Sequence, residues 1–347
     1  MSRVVPKPPS ELEVVIKNPQ RPTMPQNINR VIKKHPMVAS LVVLFASIVV
    51  FSFLNPRFLT AANMGLILQQ VTVIAVLALG QALIVLTRGI DLSLGAITVL
   101  SSIAMASTAV YLNWSPPVAI SLGIAAGVAL GLINGLFVIG LRLPPFLATL
   151  ATLSMYGALA TVVTKGVTIS ATNMPPMLSW MGSPFVIGGL RLTYGCGVML
   201  IMFAVVAYVM QFTQWGRHVY AVGDDPEASR LAGISVKHVL LSVYTVAGCI
   251  YGIGAWLLIG RLGAASPNAG VDYNLDAITA VVIGGLSLFG GRGQVIGALF
   301  GALIVGVFRN GLQLSGVQVQ WQGLAIGALV VVAVTIDQRI RGTGAAR

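Results

Sequence analysis

The residues that could do chemistry in this chain are few, and their placement matters more than their number. Asp91 follows Arg88 by three positions inside an otherwise apolar stretch, Asp276 lies at the edge of another, and Arg309 lies within a third. A carboxylate at bilayer depth can carry a proton or a cation, or contact a polar solute. Gly223-Asp224-Asp225-Pro226 is a two-carboxylate turn, too little by itself for acid–base catalysis. Cys196 and Cys249 sit in apolar runs with no CxxC and no nearby histidine pair, so they read as reduced, packed residues rather than metal ligands or a disulfide. His35, His218 and His238 are scattered beside basic residues with no ligand spacing between them, so no metal site is expected. There is no GxxxxGK[ST], and not one Gly-Lys pair occurs, so the chain lacks the cradle and the lysine that hold nucleotide phosphates. HExxH, GxSxG and DDxxD are absent as well. No catalytic residue is assigned.

The elements that must position these residues follow from composition. Of 347 residues, 56% are hydrophobic and 9% charged, against roughly 25% charged in soluble domains. Mean hydropathy is +0.90. So little charge cannot coat a soluble globule of this size, which excludes a soluble enzyme, a disordered protein and a nucleic-acid-binding domain. The expected fold is all-α: a polytopic membrane protein of about ten helices, each requiring about 20 apolar residues. The candidate spans are Met37–Leu54, Gly65–Leu86, Leu92–Tyr111, Pro117–Ile139, Phe146–Val163, Tyr194–Phe212, Val239–Ile259, the short Leu275–Leu288, Val295–Asn310 and Gln322–Ile336. The second and third meet at Arg88-Gly89-Ile90-Asp91. The Thr164–Leu192 and Thr213–His238 segments read as polar connections. Residues 1–36 form a Pro-rich basic tail that cannot bury a core and reads as mobile and cytoplasmic, with weak support for lying on anionic lipid; 341–347 is a short cytoplasmic tail. No A-x-A site follows the first apolar run, so no signal peptide is expected.

The net charge of +12 reports topology, not nucleic acid. With the tail inside, the inner segments hold its basic residues plus Arg88, Arg142, Arg217, Arg230, Lys237, Arg292, Arg339, Arg341 and Arg347, and the outer ones hold Arg57, Lys165, Arg191 and Arg261. This bias places both termini in the cytoplasm. The short eighth span is the weak point of that count.

An internal repeat supports transport. Gly89-Ile-Asp-Leu-Ser-Leu-Gly-Ala-Ile-Thr98 aligns with Gly270-Val-Asp-Tyr-Asn-Leu-Asp-Ala-Ile-Thr279 without gaps, and six of the ten positions are identical. Asn134-Gly135-Leu136 is echoed by Asn310-Gly311-Leu312, on helices bearing the glycine ridges Gly123/127/131/135 and Gly293/297/301. Such ridges let helices approach closely in lipid. The assigned topology makes the two copies inverted, a construction that builds solute paths in transporters. Candidates for the path or its gating are Asp91, Ser93, Asn134, Asp272 and Asn310. Their plainer roles are a helix N-cap or an Arg88 partner for Asp91, a loop position for Asp272, and interhelical hydrogen bonds for the two asparagines. Pro144-Pro145 start a helix, and Trp114 and Trp180 fit an interfacial belt. In the 213–238 segment, Asp225 is a good N-cap, Pro226 fits N1 and Gly233 fits C′, enclosing one short helix with little to pack against. It is either a docking helix or a solvated turn.

Taken together, Thr87-Arg-Gly-Ile-Asp-Leu-Ser-Leu-Gly95, Asn134-Gly135, Pro144-Pro-Phe-Leu-Ala-Thr-Leu150, Trp215-Gly-Arg-His-Val-Tyr-Ala-Val-Gly223, Glu227-Ala228 with Gly233-Ile234, and Gly284-Gly-Leu-Ser-Leu-Phe-Gly-Gly-Arg-Gly293 with Asn310-Gly311 resemble the permease subunits of ribose-type ABC importers for monosaccharides. The resemblance runs over about residues 36–340. It implies a type II importer-like permease of the bacterial cytoplasmic (inner) membrane, paired with a second copy or a close paralogue. A cytoplasmic sugar-type ABC ATPase, carrying ATP and Mg, would drive it, and a periplasmic or extracellular sugar-binding protein would feed it; the chain itself would hold no cofactor. It also implies an ATPase-coupling role for Asp225, Pro226, Glu227, Ala228, Ser229, Arg230, Leu231 and Gly233. Two departures stand out: Arg88 where the family often has glycine, and Tyr156-Gly157 where many members carry Arg-Gly. Scarcity of buried carboxylates argues against the rival, an ion-coupled secondary carrier built on inverted repeats.

Overall fold

The computed structural model describes residues 36–342 apart from 171, 173 and 271. The expected basic tail and the last residues of the C-terminal tail therefore lie outside the described residues. The helices are α1 (Pro36–Leu54), α2 (Ala61–Leu86), α3 (Leu94–Val110), α4 (Pro116–Gly140), α5 (Pro145–Thr164), the short α6 (Pro176–Ser179), α7 (Tyr194–Phe212), α8 (Gln214–Asp224), α9 (Pro226–Leu231), α10 (Val236–Leu262), α11 (Tyr273–Ile283), α12 (Val295–Leu314) and α13 (Val319–Gly342). Six of them, α2, α4, α5, α7, α10 and α12, are long and apolar enough to cross a membrane among the described residues. With the shorter α1, α3 and α11 and the 24-residue α13 they account for every expected span.

Local chemistry sets many of the boundaries. Thr60 caps α2 by accepting from the Asn63 N–H, and proline occupies the first turn of α4, α5 and α9. Lys165 and Gly263, both left-handed, end α5 and α10. The eighth expected span requires correction. Its helix stops at Ile283 because Gly284-Gly285 turns the chain, with Gly285 at φ 85°. Eleven residues reach only about 16 Å, too short to cross alone. The 164–192 connection is not pure loop either. It carries α6 and a hairpin of β1 (Pro184–Ile187) and β2 (Leu190–Thr193), antiparallel with Pro184 opposite Thr193. The hairpin leans on α2, where Gln69 donates to the Arg191 carbonyl.

The long helices alternate between two ends. The proximal end gathers the 87–93 break, residues 141–144, the 213–235 segment and the 284–294 loop. The distal end gathers residues 55–60, the hairpin region and the turn after α10. Asn55 donating to the Leu314 carbonyl and the Ile169–Ala265 bridge tie the distal end together. Helices α2 and α10 form the core: α2 is buried at every residue from Val71 to Leu86. By contrast, α4, α5 and α7 leave most of their apolar surface outward, as lipid contact requires: 28% of the apolar window of α5 is buried against 83% for α2.

Both glycine ridges are contact lines. A Cβ at Gly131 would lie 2.4 Å from the Tyr244 carbonyl oxygen, and one at Gly127 would lie 2.5 Å from that of Gly248, so α4 and α10 meet backbone to backbone. In the second ridge, Gly297 approaches Gly284 and Gly301 approaches Ala280 of α11. The repeated segments themselves touch. Gly95 N–H donates to Asn274 Oδ1 at 2.8 Å, and a Cβ on Gly95 would meet the Gly270 carbonyl oxygen at 2.6 Å. Asn134 lies near the proximal end of α4 and Asn310 near the distal end of α12, the inverted relation expected of the repeat.

Candidate functional site

The 87–93 break interrupts the core between α2 and α3, and its carboxylate is deeply enclosed. Asp91 is 1% exposed. Its Oδ1 accepts from the Ser93 N–H at 2.7 Å and from the Ser93 hydroxyl at 2.6 Å. Two expectations are refined here. The N-cap position of α3 belongs to Ser93 rather than Asp91, which turns the chain one step earlier. Arg88 does not pair with Asp91; its guanidinium turns to the end of α8. Asn134 extends the chain of contacts, donating to Ser93 Oγ at 2.8 Å and accepting from the Tyr156 hydroxyl at 3.2 Å. Thr149 pins the same break: its hydroxyl accepts from the Leu92 N–H and donates to the Ile90 carbonyl. Gln81, with its amide turned to suit both partners, bonds the Asp91 backbone N–H and carbonyl at 3.2 Å each.

Satisfaction is incomplete in this cluster. Asp91 Oδ2 and the buried hydroxyls of Tyr244 and Tyr251 have no hydrogen-bond partner among the described residues. The phenols of Tyr156, Tyr244 and Tyr251 lie within electrostatic reach of Asp91. Orphaned polar atoms in a protein core cost stability, so these three are a cost the fold carries at this break.

The other path candidates separate from this cluster. Asn310 forms a reciprocal amide pair with Asn63, each donating to the other at 2.9 Å, near the distal end. Asp272 is exposed at the start of α11, and its side chain makes no capping bond. Asp276, buried, and Arg309, half-buried, form an ion pair at 2.8 Å between α11 and α12. Among the described residues, no group of three or more His, Cys, Asp or Glu could hold a metal.

At the proximal end the 213–235 segment folds into two helices where the sequence indicated one. Helix α8 had a legible start, since Thr213 accepts from the Gly216 N–H, but its alternation of Arg217, His218, Tyr220 and apolar residues reads as polar connection. Trp215 anchors it through Nε1 to Ser242 Oγ at 2.7 Å. The Tyr220 hydroxyl donates to the Gly293 carbonyl at 2.8 Å, and burial raises its pKa, which keeps that donor protonated. Helix α9 follows at once. Asp225 Oδ1 accepts from the Glu227 and Ala228 N–H groups, Pro226 sits in the first turn, and Gly233 takes φ 84° just past the Ala232 C-cap. Ser229 is buried and faces the bundle, whereas Glu227, Ala228, Arg230 and Leu231 face outward. Leu231 is 81% exposed, an unpaired apolar side chain on a polar surface. The Glu227–Arg230 ion pair is fully at the surface and contributes little to stability.

Comparison with known proteins agrees with this architecture. Residues 63–334 match the family described as branched-chain amino acid transport system / permease component. The chain is 44% identical over 331 residues to the fructose import permease protein FrcC of Rhizobium meliloti, covering 93% of this chain and 91% of that one. It is 36% identical to the ribose import permease protein RbsC of Escherichia coli strain K12 over 302 residues, 86% of this chain and 93% of the relative. It is 35% identical to the galactose/methyl galactoside import permease protein MglC of the same strain over 309 residues, 85% and 92% of the two chains.

Proposed function

This multi-pass membrane protein belongs to the family of transport-system permease components, and from that premise we propose that it is the membrane-spanning subunit of an ATP-driven importer of monosaccharides. The observation that carries the reading is the pair of features joined at the proximal end: a capped, outward-facing helix α9 and, across α8, the broken start of α3 with its buried polar cluster. A separate ATPase carrying ATP and Mg binds α9 from the cytoplasm, so the proximal end and both termini face that side. Nucleotide-driven closure of two ATPase subunits moves α9 in each of two paired permease copies, and the bundle alternates between outward and inward access. A binding protein outside the membrane delivers the solute. This chain performs no bond chemistry; it gives each state a different opening.

The family description names amino acids, whereas the three relatives are named for sugars. The cluster favours sugar. A zwitterion needs opposite fixed charges, but the guanidinium of Arg88 is turned to the Gly223 and Asp224 carbonyls. What Asp91 bonds is Ser93, which is linked in turn to Asn134 and Tyr156, and these hydroxyl and amide groups are partners suited to a neutral polyol.

The test is reconstitution of the chain with its ATPase in liposomes, with binding protein supplied on the outer side. Labelled fructose, ribose and galactose are offered in turn. The expected result is ATP-dependent accumulation of at least one of them. Accumulation that follows an ion gradient with the ATPase omitted would falsify the reading and restore the secondary-carrier alternative.

A further inference from the structure

We infer that Arg88 is a positioning residue that carries movement of the 214–231 segment into the break preceding α3. The inference rests on the proposed role of α9 as the ATPase contact.

The geometry is specific. Arg88 Nε donates to the Gly223 carbonyl at 2.6 Å, and Nη2 donates to the Asp224 carbonyl. These are the last two carbonyls of α8, which have no intrahelical partner. A cation there also complements the negative end of the helix dipole. Asp224 is followed directly by Asp225, the cap of α9, so the guanidinium grips the chain one residue before the cap of the proposed docking helix. On its own strand Arg88 lies three residues before Asp91. One side chain thus ties the end of α8, next to the cap of α9, to the segment that leads into Asp91.

The backbone makes the choice of residue informative. Arg88 has φ 65°, a left-handed conformation in which a β-carbon is strained and glycine is not. The contacts around it hold it there. Gly291 N–H donates to the Leu86 carbonyl at 3.0 Å, and a Cβ on Gly290 would lie 2.4 Å from Arg88 Cγ. A Cβ on Gly223 would lie 1.8 Å from the Leu86 carbonyl oxygen. Three segments, the end of α2, the end of α8 and the 284–294 loop, are therefore packed backbone to backbone around this arginine. A glycine at position 88 would relieve the strain and keep that packing, but it would remove both charge-assisted hydrogen bonds, which are the stronger kind.

The experiment compares Arg88→Gly, Arg88→Lys and Glu227→Arg with the parent chain, each in liposomes with the partner ATPase and binding protein, measuring labelled fructose, ribose or galactose accumulated per ATP hydrolysed. Arg88→Gly is expected to insert and bind the ATPase but to lower solute moved per ATP by about tenfold, the size of an ordinary coupling between sites. Arg88→Lys, which keeps one charged donor, is expected to recover part of that loss. If Arg88→Gly leaves the ratio unchanged while Glu227→Arg lowers it, the inference is wrong and the docking reading stands. If Glu227→Arg also leaves the ratio unchanged, the docking reading fails and the inference falls with it. Failure of both Arg88 variants to insert would likewise overturn it, by showing that the guanidinium holds the fold rather than the coupling.

Discussion

Tyr244 and Tyr251 each bury a hydroxyl that bonds nothing among the described residues, and Asp91 Oδ2 is likewise unpaired. A fold selected for stability alone would place phenylalanine there. Tyr251→Phe is expected to leave the melting temperature in detergent unchanged or higher, and to lower solute uptake several-fold. A fall in melting temperature with normal uptake would assign the hydroxyl a purely structural part. The asparagines make the opposite case. Asn134 satisfies Ser93 and Tyr156, and Asn310 satisfies Asn63. Asn310→Leu leaves the buried Asn63 Oδ1 without its donor and should cost roughly 1–3 kcal/mol, whereas Asn134→Leu leaves Ser93 bonded to Asp91 and Tyr156 bonded to the Leu130 carbonyl and should cost less; both are read as a lowered detergent melting temperature. Uptake should suffer more from Asn134→Leu, because that residue is bonded to the break. The two asparagines looked equivalent in sequence because the repeat matches them. Their inverted placement gives them different neighbours, one beside a helix break and one beside another amide.

At the scale of elements, the two features that carry the argument are a glycine ridge and a six-residue helix. In α4 the ridge allows backbone contact with α10, so Gly131→Ala puts a Cβ 2.4 Å from the Tyr244 carbonyl oxygen. Gly197 in α7 has nothing within 4 Å, and alanine there should gain up to about 1 kcal/mol of helix propensity. The paired expectation is a loss of folded, monodisperse protein for Gly131→Ala and none for Gly197→Ala, read by size exclusion in detergent. Helix α9 is too short to be stable by propagation and relies on its cap. Asp225→Ala removes bonds to two amides, a loss of about 1 kcal/mol. Hydrogen exchange should then quicken at residues 227–232 while the spans stay protected. Equal exchange before and after would show that α9 is held from elsewhere. The caps of α9 were readable because Asp, Pro and Gly act through short-range geometry. Helix α8 was missed because its buried face is completed by Leu86, Gly291 and Gly293, residues remote in sequence.

For the whole molecule, orientation decides which end would meet the proposed ATPase. Leu231→Cys at the proximal end and Val167→Cys at the distal end are both at exposed positions. In intact cells an impermeant thiol reagent should label the second and not the first, and lysis should expose the first. The converse pattern would invert the topology and rule out the proposed docking of an ATPase at α9. The native thiols interfere little, since Cys196 is buried and Cys249 half-buried. Because α11 ends at the proximal end, Arg292 lies there with Arg88, Arg142, Arg217, Arg230 and Lys237, against Arg57, Lys165, Arg191 and Arg261 at the distal end, the distribution that the proposed orientation requires.

The amino-acid sequence by itself determined that the chain is a helical membrane protein, where most of its spans run, that its halves repeat in opposite sense, and where a short capped helix interrupts the polar side. Each of these rests on local or periodic chemistry: hydropathy over the width of a bilayer, glycine spacing, and capping geometry. Tertiary structure alone decided that Gly95 and Gly270, from the two repeated segments, meet, and that Arg88 holds the end of α8 rather than Asp91. Those outcomes depend on which backbones come close enough to exchange hydrogen bonds. Closeness between segments more than a hundred residues apart is a property of the packed bundle, and no single stretch of sequence carries it.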